Sequence, residues 1–497
     1  MITALENRSG IIFKVSIALF IVVHLYFIKL PPCSIHVWRQ CNTLAVARNF
    51  AEEDMNIFHP RVDRRFESDG ITGTAFPSYE WILANLIKIF GNPYALSRVF
   101  SLIISVIGVI YCYRFITLIT DNQLIGSFTA LSICWAPEFF YHSMNALPDI
   151  FALTLAFASL YYFERSSKDE SLSYFFISML LLTISGLTKM QYLMIGSYYA
   201  IVFLQHIILR KESFISKHRN AIIISGILSV AVTLAWYKYA AMLIEKSNLR
   251  DFGIEIRNAN SLNSGLTILK KNLISDWPEL VFGYANTLVL IIGLIAVFYK
   301  KNSSHFLPFL SLVLIYLVFH LLDLRQMQVH HYYMMPSYFF AAGLIAVGFQ
   351  YLIKKKNAGI IILLLIAQPI LACVRIIPAR WGKQDLGIPQ AFSNNEQLVR
   401  LQNAIPPEAK IIAGPDESGC IYLYFLHKKG FGFEYSGQLS EEKEQITTLQ
   451  NYIDRGATYL ITNDDATLQN EKVKQLIEKE VVAENNFHVF KLIPKKR

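Results

Sequence analysis

Residues 31–97 read PPCSIHVWRQCNTLAVARNFAEEDMNIFHPRVDRRFESDGITGTAFPSYEWILANLIKIFGNPYALS and form a long polar loop between the first apolar run and the next strong one. The loop concentrates Arg39, Arg48, Arg61, Arg64 and Arg65 beside Asp54, Asp63, Glu67 and Asp69. Loops held by a rigid scaffold carry chemistry more often than the scaffold does. Everything outside this stretch therefore has to be read for what holds it.

Working outward, 54% of the 497 side chains are apolar and the mean hydropathy is +0.37. A soluble chain of this size is usually about 45–50% apolar, so the composition indicates a polytopic membrane protein. A net charge of +9 would suit nucleic acid, but the Lys and Arg residues sit in short clusters between apolar runs, as cytoplasmic loops require. No nucleic-acid partner is expected; the bilayer is. The six cysteines are scattered without a C-x-x-C pair or zinc-ligand spacing, and no metal site is predicted from them.

Apolar runs of about 20 residues, the length that crosses a bilayer, fall near 11–30, 98–119, 124–143, 149–163, 172–188, 190–209, 220–241, 283–299, 305–322, 332–353 and 358–377. The expected fold is mainly α: a polytopic membrane helical bundle of about eleven spans, with a large outer first loop and a small C-terminal α/β domain. Residues 79–90 read as an amphipathic interfacial helix. With the N-terminus in the cytoplasm, one face collects Arg114, Arg165, Lys168, Arg210, Lys211, Lys217, Arg219, Lys300, Lys301, Lys354, Lys355 and Lys356. The short loops of the other face hold Lys189 and Arg325, which sets the orientation. Loop 31–97, loop 242–282 and everything after about 378 then lie outside. The domain expectation is a transmembrane catalytic part, 1–380, followed by an extracytoplasmic α/β part, 381–497, whose alternating strand-like and helix-like runs set it apart.

Ionisable residues at the outer ends of spans are costly unless they pair or face water. Asp149 opens the fourth span, Lys189 lies between the fifth and sixth, and Arg325, His330 and His331 precede the tenth. Asp149 could equally cap its helix and Lys189 could snorkel, but one common face favours a pocket. An acid among several cations suits general-base activation of a hydroxyl opposite an anionic leaving group. The planar fork of Arg matches phosphate oxygens. Adjacent His330 and His331 point in different directions and make a poor metal pair.

In order along the chain, WRQCNTLAVARNF, DMNIFHPRVD, FPSYEWILANLIKIFG, LPD at the fourth span, GLTK after the fifth and HHYYMMP at the tenth together resemble the GT-C glycosyltransferases. The likeness is to the branch of aminoarabinose transferases and protein O-mannosyltransferases, among bacterial envelope members. It implies transfer of a sugar, with inversion, from a polyprenyl-phosphate donor to an envelope lipid, glycan or protein acceptor at the outer face of the inner membrane. Many members carry an Asp-Glu pair soon after the first span, the Asp acting as base; here Trp38, Arg39 and Gln40 stand there, and Ala75 replaces a Glu often found before the FP pair. The resemblance implies no certain cofactor and leaves a divalent-metal requirement open.

The expected catalytic base is Asp63, with Asp69 and Asp149 as alternatives; Asp63 could instead be a structural ion pair among its arginines. Donor phosphate and substrate binding is expected of Arg39, Arg48, Arg61, Lys189, Arg325, His331 and Tyr332. Two other classes fit many spans and buried charges: a transporter or flippase of lipid-linked glycans, and a non-catalytic family member acting as an assembly partner.

Overall fold

The computed structural model describes residues 2–65, 68–208, 213–249, 259–298, 305–382, 386–440 and 449–494. Arg210, Lys211, Lys300 and Lys301 of the basic loops, and Glu67, lie outside the described residues. The chain divides into two units. The first comprises Met1–Lys29, Ser97–Lys238 and Ile254–Gly382; the second comprises Leu30–Leu96, Tyr239–Gly253 and Lys383–Arg497.

The first unit is helical. Five described helices are long and apolar enough to cross a membrane: Ile2–Tyr26, Tyr94–Thr120, Arg219–Ser247, His331–Lys354 and Ala358–Trp381. A sixth is reached if Leu262–Val281 and Tyr284–Val297, which meet at a bend of 116°, count as one. Gln123–Cys134, Leu172–Thr188 and Phe306–Leu322 are apolar but shorter. Among the described residues each expected run is largely helical, but several are interrupted, and Leu172–Thr188 and Phe306–Leu322 are only 17 residues long. Run 124–143 breaks after Cys134 and restarts at Pro137 as the short helix Pro137–His142, proline being suited to a first helical turn and not an interior. Run 190–209 begins as a 3-10 turn, Met190–Ile195, before Gly196–Ile208.

Polar groups inside this unit are met by one another. His24, fully buried in the first span, lies 2.7 Å from the Phe20 carbonyl, 2.9 Å from the Phe140 carbonyl and 2.7 Å from Ser143 Oγ. Helices approach closely where side chains are absent. A Cβ on Gly293 would stand 1.9 Å from the Leu344 carbonyl oxygen, and one on Gly348 would stand 2.4 Å from that of Val289. Small residues at such crossings let membrane helices pack backbone to backbone.

The second unit is built on a five-stranded sheet in the order β2-β1-β3-β5-β4, with β1 Lys410–Gly414, β2 Lys429–Gly432, β3 Ala457–Thr462, β4 Ile477–Glu484 and β5 Phe487–Leu492. β1 runs parallel to both β2 and β3, while β5 is antiparallel to β3 and β4. One face buries Ile412, Phe431, Phe433, Leu460 and Leu492. The free edge of β2 would leave backbone groups unpaired; loop residues take it. Gly430 N donates to the Asp63 carbonyl at 3.1 Å and Arg65 N to the Gly430 carbonyl at 2.8 Å. The polar loop, expected as an appendage of the membrane part, is thus stitched to the sheet of the C-terminal residues. Its helices Val37–Glu52 and Ser78–Phe90 pack together over Val46, Phe50, Val62, Ala84 and Leu249. The expected interfacial helix is Ser78–Phe90; it buries Tyr79, Leu83, Ala84 and Ile87 and exposes Lys88, Ile89 and Phe90.

The Gly293 crossing yields a direct test. Gly293→Val should cost at least ~1–3 kcal/mol, as overpacking does, and appear as a lowered midpoint when the detergent-solubilised protein is heated and the surviving monodisperse fraction is measured. An unchanged midpoint would mean that the two helices do not meet there.

Candidate functional site

In the first unit, helix Pro148–Lys168 starts with Pro148 at its first position, which places Asp149 in the first turn. The helix N-terminus favours an anion there. Asp149 is fully buried. Lys189 ends helix Leu172–Thr188 in an extended conformation, and the two helices pack along each other, so that Lys189 Nζ comes 3.3 Å from Asp149 Oδ2. Neither carboxylate oxygen of Asp149 makes a hydrogen bond to protein. The same ammonium lies over two rings, 5.5 Å from the centroid of Tyr332 and 5.1 Å from that of Tyr333, an attraction that strengthens on desolvation.

Further charges surround these rings. The Tyr332 ring meets that of His142 edge-on at 5.8 Å, and His142 Nε2 is 2.9 Å from Glu138 Oε1, one helical turn away. His331 Nε2 lies 4.0 Å from Asp276 Oδ2, which Lys271 Nζ approaches to 3.3 Å. Asp276 Oδ2 and His331 Nε2 are buried without hydrogen-bond partners. Buried polar atoms are nearly always hydrogen-bonded, so this concentration of unmet lone pairs marks the region as one built to receive other polar groups. Of the residues predicted from sequence, Asp149, Lys189, His331 and Tyr332 are gathered here; Arg325 is exposed on the short helix Leu324–Val329. Glu138, His142 and Asp276 were not anticipated. The i,i+4 spacing of Glu138 and His142 inside an apolar run was the available signal.

The remaining predicted residues belong to the second unit. Asp63 is 3% exposed and both its oxygens are occupied: Arg48 Nη2 donates to Oδ2 at 2.6 Å and Asn49 Nδ2 to Oδ1 at 3.0 Å. Arg48 Nη1 donates to the Tyr424 carbonyl at 3.0 Å, and the guanidinium lies 5.1 Å from the Tyr424 ring centroid. This geometry matches the structural ion pair rather than a proton acceptor awaiting a hydroxyl. Asp69 has a turn role, accepting from Ile71 N at 3.1 Å, and its side chain is 60% exposed at 3.6 Å from Arg61. Arg61 also reaches Glu53 and Asp54. Arg39 is buried in helix Val37–Glu52. Glu53 binds Arg65 Nη2 at 2.6 Å and also Lys429. Burial pushes its carboxyl upward, but these two cations outweigh that and hold it below the ordinary range.

Removing the charge from Asp63 separates the two readings. Asp63→Asn should lose ~3–5 kcal/mol, because the Arg48 charge would stay buried without its partner, and the purified protein should melt early or fail to accumulate. Parental stability with collapsed turnover would instead restore Asp63 as the base.

A family model described as dolichyl-phosphate-mannose-protein mannosyltransferase matches residues 74–236, while no curated protein matches. Among solved structures, ArnT from Cupriavidus metallidurans bound to undecaprenyl phosphate is 10% identical with a TM-score of 0.65, over 95% of this chain and 97% of that one. The oligosaccharyltransferase AglB from Archaeoglobus fulgidus, in complex with an inhibitory peptide and a dolichol-phosphate, is 11% identical with a TM-score of 0.58, over 92% of this chain and 69% of that one. The arabinofuranosyltransferase AftD from Mycobacteria is 13% identical with a TM-score of 0.53, over 98% of this chain and 40% of that one. The chain shares its fold with these three structures, ArnT over nearly the whole length of both chains.

Proposed function

We propose that this protein is a multi-pass membrane glycosyltransferase that moves a sugar from a polyprenyl-phosphate donor to an envelope lipid, glycan or protein acceptor, inverting the anomeric carbon. The observation that carries the reading is the buried Asp149–Lys189 pair, whose carboxylate oxygens take no hydrogen bond from protein. The likeness to ArnT over nearly the whole of both chains supports it. In the same reading the protein resides in a bacterial inner membrane with about eleven crossings, N-terminus in the cytoplasm and residues after 381 outside.

The chemistry follows from charge and geometry. The acceptor hydroxyl oxygen forms a bond to the anomeric carbon while the bond from that carbon to the phosphate oxygen breaks; the hydroxyl proton goes to Asp149 and the electron pair leaves with the polyprenyl phosphate. Asp149 takes that proton with the Lys189 ammonium 3.3 Å from its Oδ2. Inversion puts base and leaving group on opposite faces of the sugar. A lysine 3.3 Å from the base therefore belongs with the base, and the departing phosphate needs a cation other than Lys189. Asp63 keeps its ion pair, and Arg48 and Arg61 keep their carboxylate partners.

The test uses the protein reconstituted in liposomes with a polyprenyl-phosphate sugar and an envelope-lipid extract, read by the acceptor's mass. Parent protein should add one sugar; Asp149→Asn strands the Lys189 charge and should melt earlier, while its folded, donor-binding fraction should turn over ~10²–10⁴-fold more slowly, the usual worth of a general base. Parental turnover in Asp149→Asn would move the base elsewhere. Sugar lipid crossing the bilayer with no change in acceptor mass would make the protein a flippase.

A further inference from the structure

The second unit holds a cavity of about 370 Å³ that shares only Arg48 and Tyr424 with the groups used above. Its walls come from the turn before Tyr94, helix Asn395–Asn403 and the end of helix Ile421–Leu426. That volume sits at the lower end of the ~300–1,000 Å³ of small-ligand sites, room for about two sugar rings.

The lining has an unusual balance of chemistry. Three side-chain amides, Asn92, Asn395 and Gln402, face it. Each amide carries both donors and acceptors, so one side chain can match hydroxyls in both capacities with two atoms. Gln402 already donates to the Phe425 carbonyl at 2.7 Å, which fixes its orientation and leaves its oxygen available. The half-buried ring of Tyr94 also lines the cavity and packs edge-on to Phe425 at 6.2 Å. Such a ring offers an apolar face with a polar tip, suited to the C–H face of a pyranose.

The cations do not favour an anion. Arg48 is neutralised by Asp63 at 2.6 Å, and His427 at the rim is 3.0 Å from Glu52. Neither carboxylate lines the cavity, and the guanidinium of Arg48 has its counter-charge in place, so a phosphate would find no uncompensated guanidinium to bind. Arg48 contributes differently: it is 3% exposed, and its Nε–H has no hydrogen-bond partner. A buried donor left unmet costs free energy that a ligand oxygen can recover.

We infer that this cavity binds a saccharide of about two uncharged units, gripped by the amides of Asn92, Asn395 and Gln402 and stacked on Tyr94, and that it recognises the glycan of the acceptor. The second half of this inference rests on the glycosyltransferase reading; the first half does not.

Full-length protein in nanodiscs would be titrated with maltose and with chitobiose, by saturation-transfer-difference NMR and calorimetry. At least one of the two should bind. Val399→Trp, at an exposed position of the cavity wall, should weaken that binding at least ~10-fold by filling the space, and Asn395→Ala should weaken it less, both with parental melting behaviour. In the transfer assay, Val399→Trp should raise the acceptor KM by a similar factor and leave kcat and donor KM unchanged. Binding of neither disaccharide, or parental affinity in both variants, would overturn the site. A raised donor KM with unchanged acceptor KM would overturn its assignment to the acceptor. Saccharide binding that Val399→Trp abolishes, in a protein that transfers nothing, would uphold the cavity and defeat the glycosyltransferase reading.

Discussion

Taking an ionised group out of water costs several kcal/mol unless an opposite charge waits for it, and this fold answers that constraint differently in its two units. Arg48 and Asp63 oppose each other at 2.6 Å, Asn49 takes the second carboxylate oxygen and the Tyr424 carbonyl takes Arg48 Nη1, so that Asp63 is fully occupied and Arg48 keeps only its Nε–H unmet. The pair ties helix Val37–Glu52 to the loop that borders β2 and to a helix nearly four hundred residues later, so its energy is spent on holding the polar loop in shape. Asp149 and Lys189 are also buried and opposed, but their ion pair leaves the carboxylate's hydrogen-bonding capacity unused. The first arrangement is what a structural pair looks like, and the second is what a site prepared for a substrate proton requires.

The contrast also orders the chemistry. In the proposed reaction inversion separates base from leaving group by the width of a sugar ring, so a cation beside the base cannot also neutralise the departing phosphate. The first unit holds two buried acid groups with basic neighbours, Asp149 with Lys189 and Asp276 with Lys271 and His331. The aromatic faces of Tyr332 and Tyr333 at Lys189 stabilise the ammonium without consuming the carboxylate.

Much of this was legible in the sequence because membranes penalise charge. Asp149, Lys189, His331 and Tyr332 stood out by falling at span ends on one expected face, and they are neighbours. Asp63 stood out for the opposite reason, a surplus of nearby arginine, yet its partners are Arg48 and Asn49 of the preceding helix, while Arg61 and Arg65 go to other carboxylates. Two things could not be read. Helix breaks such as the one before Pro137 lie inside runs of uniform hydropathy, so counting apolar residues overestimates unbroken spans, and Glu138 and His142 were hidden within one. Partners distant in sequence, Arg48 with Tyr424 or the loop with β2, leave no periodic trace at all.

The central claim is that the protein transfers a sugar onto an envelope molecule. Mass spectrometry of envelope lipids and glycans from cells with and without the protein tests it most directly. The account predicts that one lipid or glycan loses the mass of a single sugar residue when the protein is absent, while its polyprenyl-phosphate donor accumulates. Identical envelope profiles in the two strains, with no change in any lipid-linked sugar, would contradict it.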